Sequence, residues 1–214
     1  MPSYPVPLHE IRRELVIANS RFIACLAPVF SVDEAKGFIQ RIKAEFPDAT
    51  HHVPVYLVGH AASEIAHCSD AGEPSGTAGR PALAVLRGSG LGDVAVVVTR
   101  YFGGTKLGTG GLVRAYSEAV RMVVEAVPRA AKVLTHTVML VFPYTYLERI
   151  RLLVSAHLGE VLDEDFTAEV TLTARLRVEE LPAFQSALSD LTKGKVTAEI
   201  IETTEILMPL TFKP

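Results

Sequence analysis

Eleven of the fifteen glycines in this 214-residue chain lie between Gly72 and Gly111. Backbone that permissive does not form one continuous helix or strand; it requires tight turns between regular elements. The densest stretch, residues 99–114, reads TRYFGGTKLGTGGLVR and places five glycines within nine residues. It follows the β-rich run DVAVVVTRYF, patterned as a buried central strand. After it, Leu112, Val113, Tyr116, Ala119, Val120, Val123, Val124 and Val127 mark a helix with a broad apolar face. A strand entering a glycine turn that feeds a helix N-terminus makes an anion site, because amides point outward and the helix dipole favours negative charge. Arg100 ends the strand, Lys106 sits in the loop and Arg114 lies one turn into the helix, while Gly103, Gly104, Gly108, Gly110 and Gly111 would let a ligand approach closely. The competing reading is a tight turn between packed elements. Two named motifs are excluded: Walker A requires Gly-Lys-Ser/Thr where this chain has Thr105-Lys106-Leu107, and the dinucleotide fingerprint fails at Val113.

A second polar stretch, HCSDAGEPSGTAGRP, offers Asp70 and Glu73, three hydroxyls and then Arg80 before Pro81. Either it is a second wall of the same site, with Arg80 near another helix start, or Asp70 and the hydroxyls cap their own backbone in a solvated loop. Residues 61–79 read as one long loop, and loops of that length are uncommon without a function. His51 and His52 open a strand, and His67 and Cys68 border the loop. Adjacent strand residues point to opposite faces, so His51 and His52 cannot readily share one metal ion. No metal site is expected, and one of the two histidines is expected to face the glycine loop.

Elsewhere the patterning is regular. HEIRRELVIAN and SRFIACLAPV read as two strands joined by an Asn-Ser turn, and Ser31 with Glu34 has the spacing of a capping box opening a helix over 32–46. HHVPVYLVGH is a strand whose Pro54 points to an edge or a bulge. Pro81 suits the first turn of a short helix, RPALAVLRGSG. Beyond a boundary between Pro128 and Lys132 the order is strand, helix, strand, strand, helix, strand, the ferredoxin-like arrangement, with Gly159 expected just past the end of the first helix. The expectation is an α+β chain of two domains, 1–130 and 131–214. Residues 1–130 hold 13 Lys/Arg against 12 Asp/Glu, and residues 131–214 hold 8 against 12, so cationic function belongs to the first half.

A net charge of −3 excludes a globally basic nucleic-acid binder but not a local basic patch. No apolar run reaches the roughly 20 residues of a membrane span. The start MPSYPVPLHEIRRE carries no apolar segment of a secretory signal. Two cysteines, Cys25 and Cys68, are too few for a disulfide framework. A cytoplasmic protein with reduced thiols, without a cofactor and without a membrane partner, is expected.

SDAGEPSGTAGRP, followed about 18 residues later by VVVTRYFGGTKLGTGGLVRAYSEAV, resembles the signature pair of the IMPACT/YigZ family, and RFIACLAPV and DATHHVPVYLVG extend the match. The resemblance implies a first domain similar to the second domain of ribosomal protein S-five and a second similar to the fifth domain of elongation factor G, both ribosome-associated folds. It implies translation regulation for eukaryotic members, which act through an additional domain, and no settled biochemical activity for bacterial ones. One departure stands out: the family usually reads Ser-Asp-Asp-Gly-Glu-Pro, and here the second Asp is Ala71.

Two functions fit these residues. One is a translation-associated factor that binds RNA or the ribosome through the cationic glycine loop, with Arg80, Arg100, Lys106 and Arg114 contacting the backbone. The alternative is an enzyme on a phosphorylated small molecule or nucleotide. There the glycine loop would hold phosphate, Asp70 or Glu73 would act as base or Mg²⁺ ligand, and His51 or His52 would assist. A third option is a protein partner on the open sheet face of the second domain.

Overall fold

The structure, a computed structural model, describes residues 4–210. It divides into two compact units, one running to Ala131 and taking in residues 208–210, the other spanning Lys132–Leu207.

In the first unit the strands are β1 (Val6–Pro7), β2 (Ile11–Ile17), β3 (Ser20–Pro28), β4 (His51–Val58), β5 (Ile65–Cys68) and β6 (Val94–Tyr101). The helices are α1 (Val32–Glu45), α2 (Gly79–Gly88) and α3 (Gly108–Ala126). Strands β2-β3-β6-β4-β5 form one antiparallel sheet in that order. Both faces of its centre are covered. Phe22, Ala24, Leu26, Val94, Val96 and Val98 pack with Leu86 of α2 and with Leu112, Tyr116 and Val120 of α3. The alternate residues Ile23, Cys25, Ala95 and Val97 pack against Ala35, Phe38, Ile39 and Ile42 of α1. Successive strand side chains point to opposite layers, so a strand buried on both faces reads as an unbroken apolar run. Ser31 caps α1 as its spacing predicts, its Oγ accepting from the Glu34 N–H at 3.1 Å.

Three expectations change. The β2–β3 turn is Ala18-Asn19, at φ 46° and 63°, one residue earlier than Asn-Ser. A two-residue hairpin needs φ above zero at both central positions, and Ser20 is already paired with Ile17 as the first, fully buried residue of β3. Strand β4 is interior, between β6 and β5, despite Pro54. The Pro54 carbonyl accepts from the Ser69 N–H, so the missing donor points to the β5 side, where the ladder stops at Val55–Cys68. The long loop is shorter than expected, because a turn of 3-10 helix (Ala61–Ser63) and β5 lie inside 61–79. Strand β5 is a four-residue edge of alternating exposure with no apolar run to announce it.

The second unit follows the ferredoxin-like order: β7 (Arg129–Phe142), α4 (Leu147–Ala156), β8 (Glu160–Phe166), β9 (Val170–Arg177), α5 (Leu181–Thr192) and β10 (Glu199–Pro209). The division between the units falls inside β7, whose first residues, Arg129 and Ala130, pair with β1. Strand β7 pairs with β10 and β9, and β9 with β8. Val138, Leu140, Phe142, Leu172 and Ala174 pack against Ile150 and Val154 of α4 and Phe184 and Leu188 of α5. The other face is largely polar, with Thr171, Thr173, Arg175 and Arg177 opposite Val141, Met139, Thr137 and Thr135.

Gly159 is not the left-handed residue that ends α4. Leu158 takes that role at φ 54°, 65 % exposed, while a Cβ on Gly159 would meet Leu176 at 2.6 Å. Left-handed backbone costs an L-residue about 1–2 kcal/mol. Leu158→Gly should therefore stabilise the protein by about 0.5–1 kcal/mol after the added unfolded-state entropy is subtracted, read as a rise in thermal midpoint of a few degrees; an unchanged or lower midpoint contradicts the assignment.

Candidate anion-binding site

The two glycine-rich segments meet at one end of the first unit's sheet, and a carboxylate joins them. Glu73 is 8 % exposed; its Oε1 accepts from Arg100 Nη1 at 2.7 Å and from the Tyr116 hydroxyl at 2.7 Å. Arg100 is 5 % exposed, and its Nη2 donates to Ser20 Oγ at 3.3 Å. Its guanidinium lies over the rings of Phe22 and Phe102, 5.4 and 5.6 Å from their centroids. The fold thus takes a full ion pair out of water and completes it with hydroxyls from β3 and α3. Burial, then the hydrogen bond to Glu73, pushes the Tyr116 phenol far above its ordinary value, so it remains a donor. Arg100 is accordingly corrected from a solvent-facing anion contact to an internal counter-ion, because Glu73 already neutralises it.

Asp70 is also committed internally. Its Oδ1 accepts from the Ala78 and Gly79 N–H groups at 3.0 and 2.8 Å, and Oδ2 from Gly76 at 2.8 Å. Burial would raise this carboxyl, but the three amides and nearby Arg80 outweigh it and hold it below its ordinary value. Ala78 offers α2 no side-chain cap, so Asp70 caps that helix from eight and nine residues upstream. Gly79 has a steric reason: a Cβ there would stand 2.8 Å from the Ser69 backbone. Arg80 is exposed on the first turn of α2.

Helix α3 differs. It begins at Gly108, so the second half of the glycine run is its first turn, and no side chain caps it. The loop proper is 102–107. Its glycines have separate causes. A Cβ on Gly103 would lie 2.0 Å from the Asn19 backbone, Gly104 and Gly108 hold φ of 84° and 69°, and Gly111 sits against Leu107 at 3.1 Å. Gly110 has only Arg114 Nη2 at 4.0 Å, so packing does not demand it. Lys106 and Arg114 are exposed and have no ion pair among the described residues. Beside this helix start a cleft of about 380 Å³ opens, with Glu73, Arg100, Phe102, Lys106, Thr109 and Leu112 in its walls.

The histidines separate as strand alternation requires. His51 Nδ1 is 2.9 Å from the Ala71 carbonyl, and its Nε2 is 3.9 Å from Glu73 Oε2. His52 Nδ1 is 3.1 Å from Thr99 Oγ1 on the other side of the sheet; burial, then Lys43, lowers its pKa. No three His, Cys, Asp or Glu side chains converge as metal ligands among the described residues. Sequence reasoning missed Ser20 and Tyr116 as site residues. Ser20 Oγ also accepts from the Gly103 N–H at 3.2 Å. Tyr116 could have been flagged as the one hydroxyl on the apolar stripe of α3.

Comparison with known proteins agrees with this two-part layout. The Impact N-terminal domain matches residues 18–124, and a domain of unknown function, DUF1949, matches residues 140–195. The chain is 36 % identical over 203 residues to the IMPACT family member YigZ of Escherichia coli K12, covering 94 % of this chain and 100 % of that one. It is 37 % identical over 182 residues to the IMPACT family member YvyE of Bacillus subtilis, covering 85 % and 83 %. A crystal structure of a hypothetical protein superposes with a TM-score of 0.62 at 36 % identity, covering 94 % of this chain and 98 % of that one.

Removing Glu73 strands a buried guanidinium, so Glu73→Ala should cost about 3–5 kcal/mol, measured by urea unfolding. Asp70→Asn should cost about 1–2 kcal/mol near neutrality. The folded carboxyl titrates below its ordinary 3.8, so its contribution is fully present above that pH and lost as pH falls through the lower folded value. The gap between parent and variant should therefore close in acid; a gap that is constant with pH would show that the carboxylate charge is not what caps α2.

Proposed function

This chain belongs to the IMPACT family, and from that premise we propose that it is a translation-associated factor that binds RNA through the start of α3. The observation that carries this reading is the contrast between the two helix starts at one end of the sheet. The α2 start is filled by Asp70, whereas the α3 start is uncapped, rich in glycine and flanked by exposed Lys106 and Arg114. A helix start left in that state favours an external anion. Gly110, which packing does not require, supports close approach of such a ligand. Arg80 extends the cationic rim, while Arg100 holds the site together from within. The translation setting comes from the family's resemblance to ribosome-associated folds.

The enzyme alternative asks Asp70 or Glu73 to serve as base or metal ligand. Asp70 already accepts three amides, and drawing Glu73 away would leave Arg100 unpaired in the interior. Partner binding on the second unit's sheet face has less support, since where β7 and β9 form that face Val141 and Met139 lie among Thr and Arg residues.

The test is binding of the full chain to RNA across a salt series. Lys106→Glu with Arg114→Glu should weaken binding at least about tenfold and lower the log–log salt slope by about 1.4, the value for two single-strand phosphate contacts. Binding equal to the parent's at every salt concentration would overturn the proposal. Thermal shift against nucleotides and sugar phosphates tests the alternative, which requires a specific stabilising ligand among them.

A further inference from the structure

Phosphate contact alone does not account for the shape of the cleft. A protein that only rests on a nucleic-acid backbone needs exposed cations and amides, and these lie on the rim. The cleft is recessed, about 380 Å³, within the range of small-ligand sites. Its walls are mixed: Leu107 and Leu112 are apolar, Lys106 and Thr109 are polar, and Phe102 contributes an aromatic ring. Phe102 is 46 % exposed, so the core does not consume that ring. It is nevertheless held in place, because its N–H donates to Thr50 Oγ1 at 3.1 Å and the Arg100 guanidinium lies 5.6 Å from the ring centroid.

A second residue braces the ring. The Arg100 side chain, 6 % exposed and paired with Glu73, forms part of the cleft wall and lies against the Phe102 ring. The wall therefore presents an oriented π-face on Phe102 beside the cation of Lys106. A ligand that fits must combine a flat, stackable part with an anionic part a few ångströms away. Resting on the reading above, we infer that the cleft takes one unpaired nucleotide of single-stranded RNA, its base stacked on Phe102 and its phosphate at Lys106 and the α3 amides. Duplex RNA keeps its bases stacked inside and presents only backbone to such a recess. The site therefore selects unpaired strands over duplexes. A free nucleoside monophosphate shares this chemistry and is the other source of it.

The experiment compares the full chain with Phe102→Leu and Phe102→Trp on adenosine decamers, a matched duplex and AMP. Phe102→Leu keeps the apolar wall and removes the π-face. It should weaken decamer binding by about 5- to 150-fold, the range for one lost base stack, with duplex binding and the salt slope unchanged. Phe102→Trp should retain parent affinity, and the relative affinities for AMP and the decamer identify the source. If Phe102→Leu binds the decamer like the parent while the Lys106 and Arg114 charge reversals still weaken it, the stacking inference is overturned and the RNA reading stands. If the parent binds no RNA, the RNA reading falls and takes this inference with it.

Discussion

The buried pair of Glu73 and Arg100 is the interaction on which the site depends. Taking two charges out of water costs several kcal/mol per ion, recovered only with close geometry and with the remaining polar atoms satisfied. Here the geometry recruits four segments: Glu73 from the loop before α2, Arg100 from the end of β6, Tyr116 from α3 and Ser20 from the start of β3. Ser20 passes the constraint on by accepting from Gly103, and Gly103 lies so close to the Asn19 backbone that only glycine fits. The path of the glycine loop is therefore set by the ion pair beneath it. A flexible sequence becomes a defined surface because its anchor is buried and charged.

That anchor divides the charges into two groups. The acidic loop turns inward: Asp70 organises the start of α2, and Glu73 neutralises Arg100. The cations outside the pair, Lys106, Arg114 and Arg80, are exposed. A chain with net charge −3 thus presents a local positive field at one sheet end, reinforced by the open amides of a 19-residue helix.

Features encoded within a few residues were legible in the sequence. The capping box of α1, the continuous apolar run of β6 and the alternation in β9 all report local periodicity, and the ferredoxin-like order of the second unit follows from them. Strand β5 was not legible because four residues are too few to show a period and polar loop residues flank them. Arg100 was misplaced for a different reason. A cation at a strand end before two glycines has the sequence context of an exposed residue, and its burial is decided by partners 27 and 80 positions away. Asp70 capping its own backbone is one of two readings of its loop; that the capped amides are those of the α2 start, eight and nine residues on, lies beyond the span over which caps are ordinarily read.

The departure at Ala71 bears on what kind of site this is. Ala71 holds φ 51°, next to Gly72 at 88°, and its carbonyl meets His51. Aspartate and asparagine tolerate left-handed backbone better than alanine does, so the family's usual aspartate suits this conformation on backbone grounds alone. Losing its carboxylate removes no acceptor from the network, since Asp70 and Glu73 take every bond that the Gly76, Ala78, Gly79, Arg100 and Tyr116 donors make to a carboxylate. The methyl group instead packs against the core beneath α2 and α3. A chemistry built on two adjacent carboxylates would not survive this replacement, whereas a loop whose acids hold the structure and whose cations meet the ligand loses nothing by it. The substitution therefore fits the binding reading and opposes only a catalytic one that needs two adjacent carboxylates, since Asp70 and Glu73 remain.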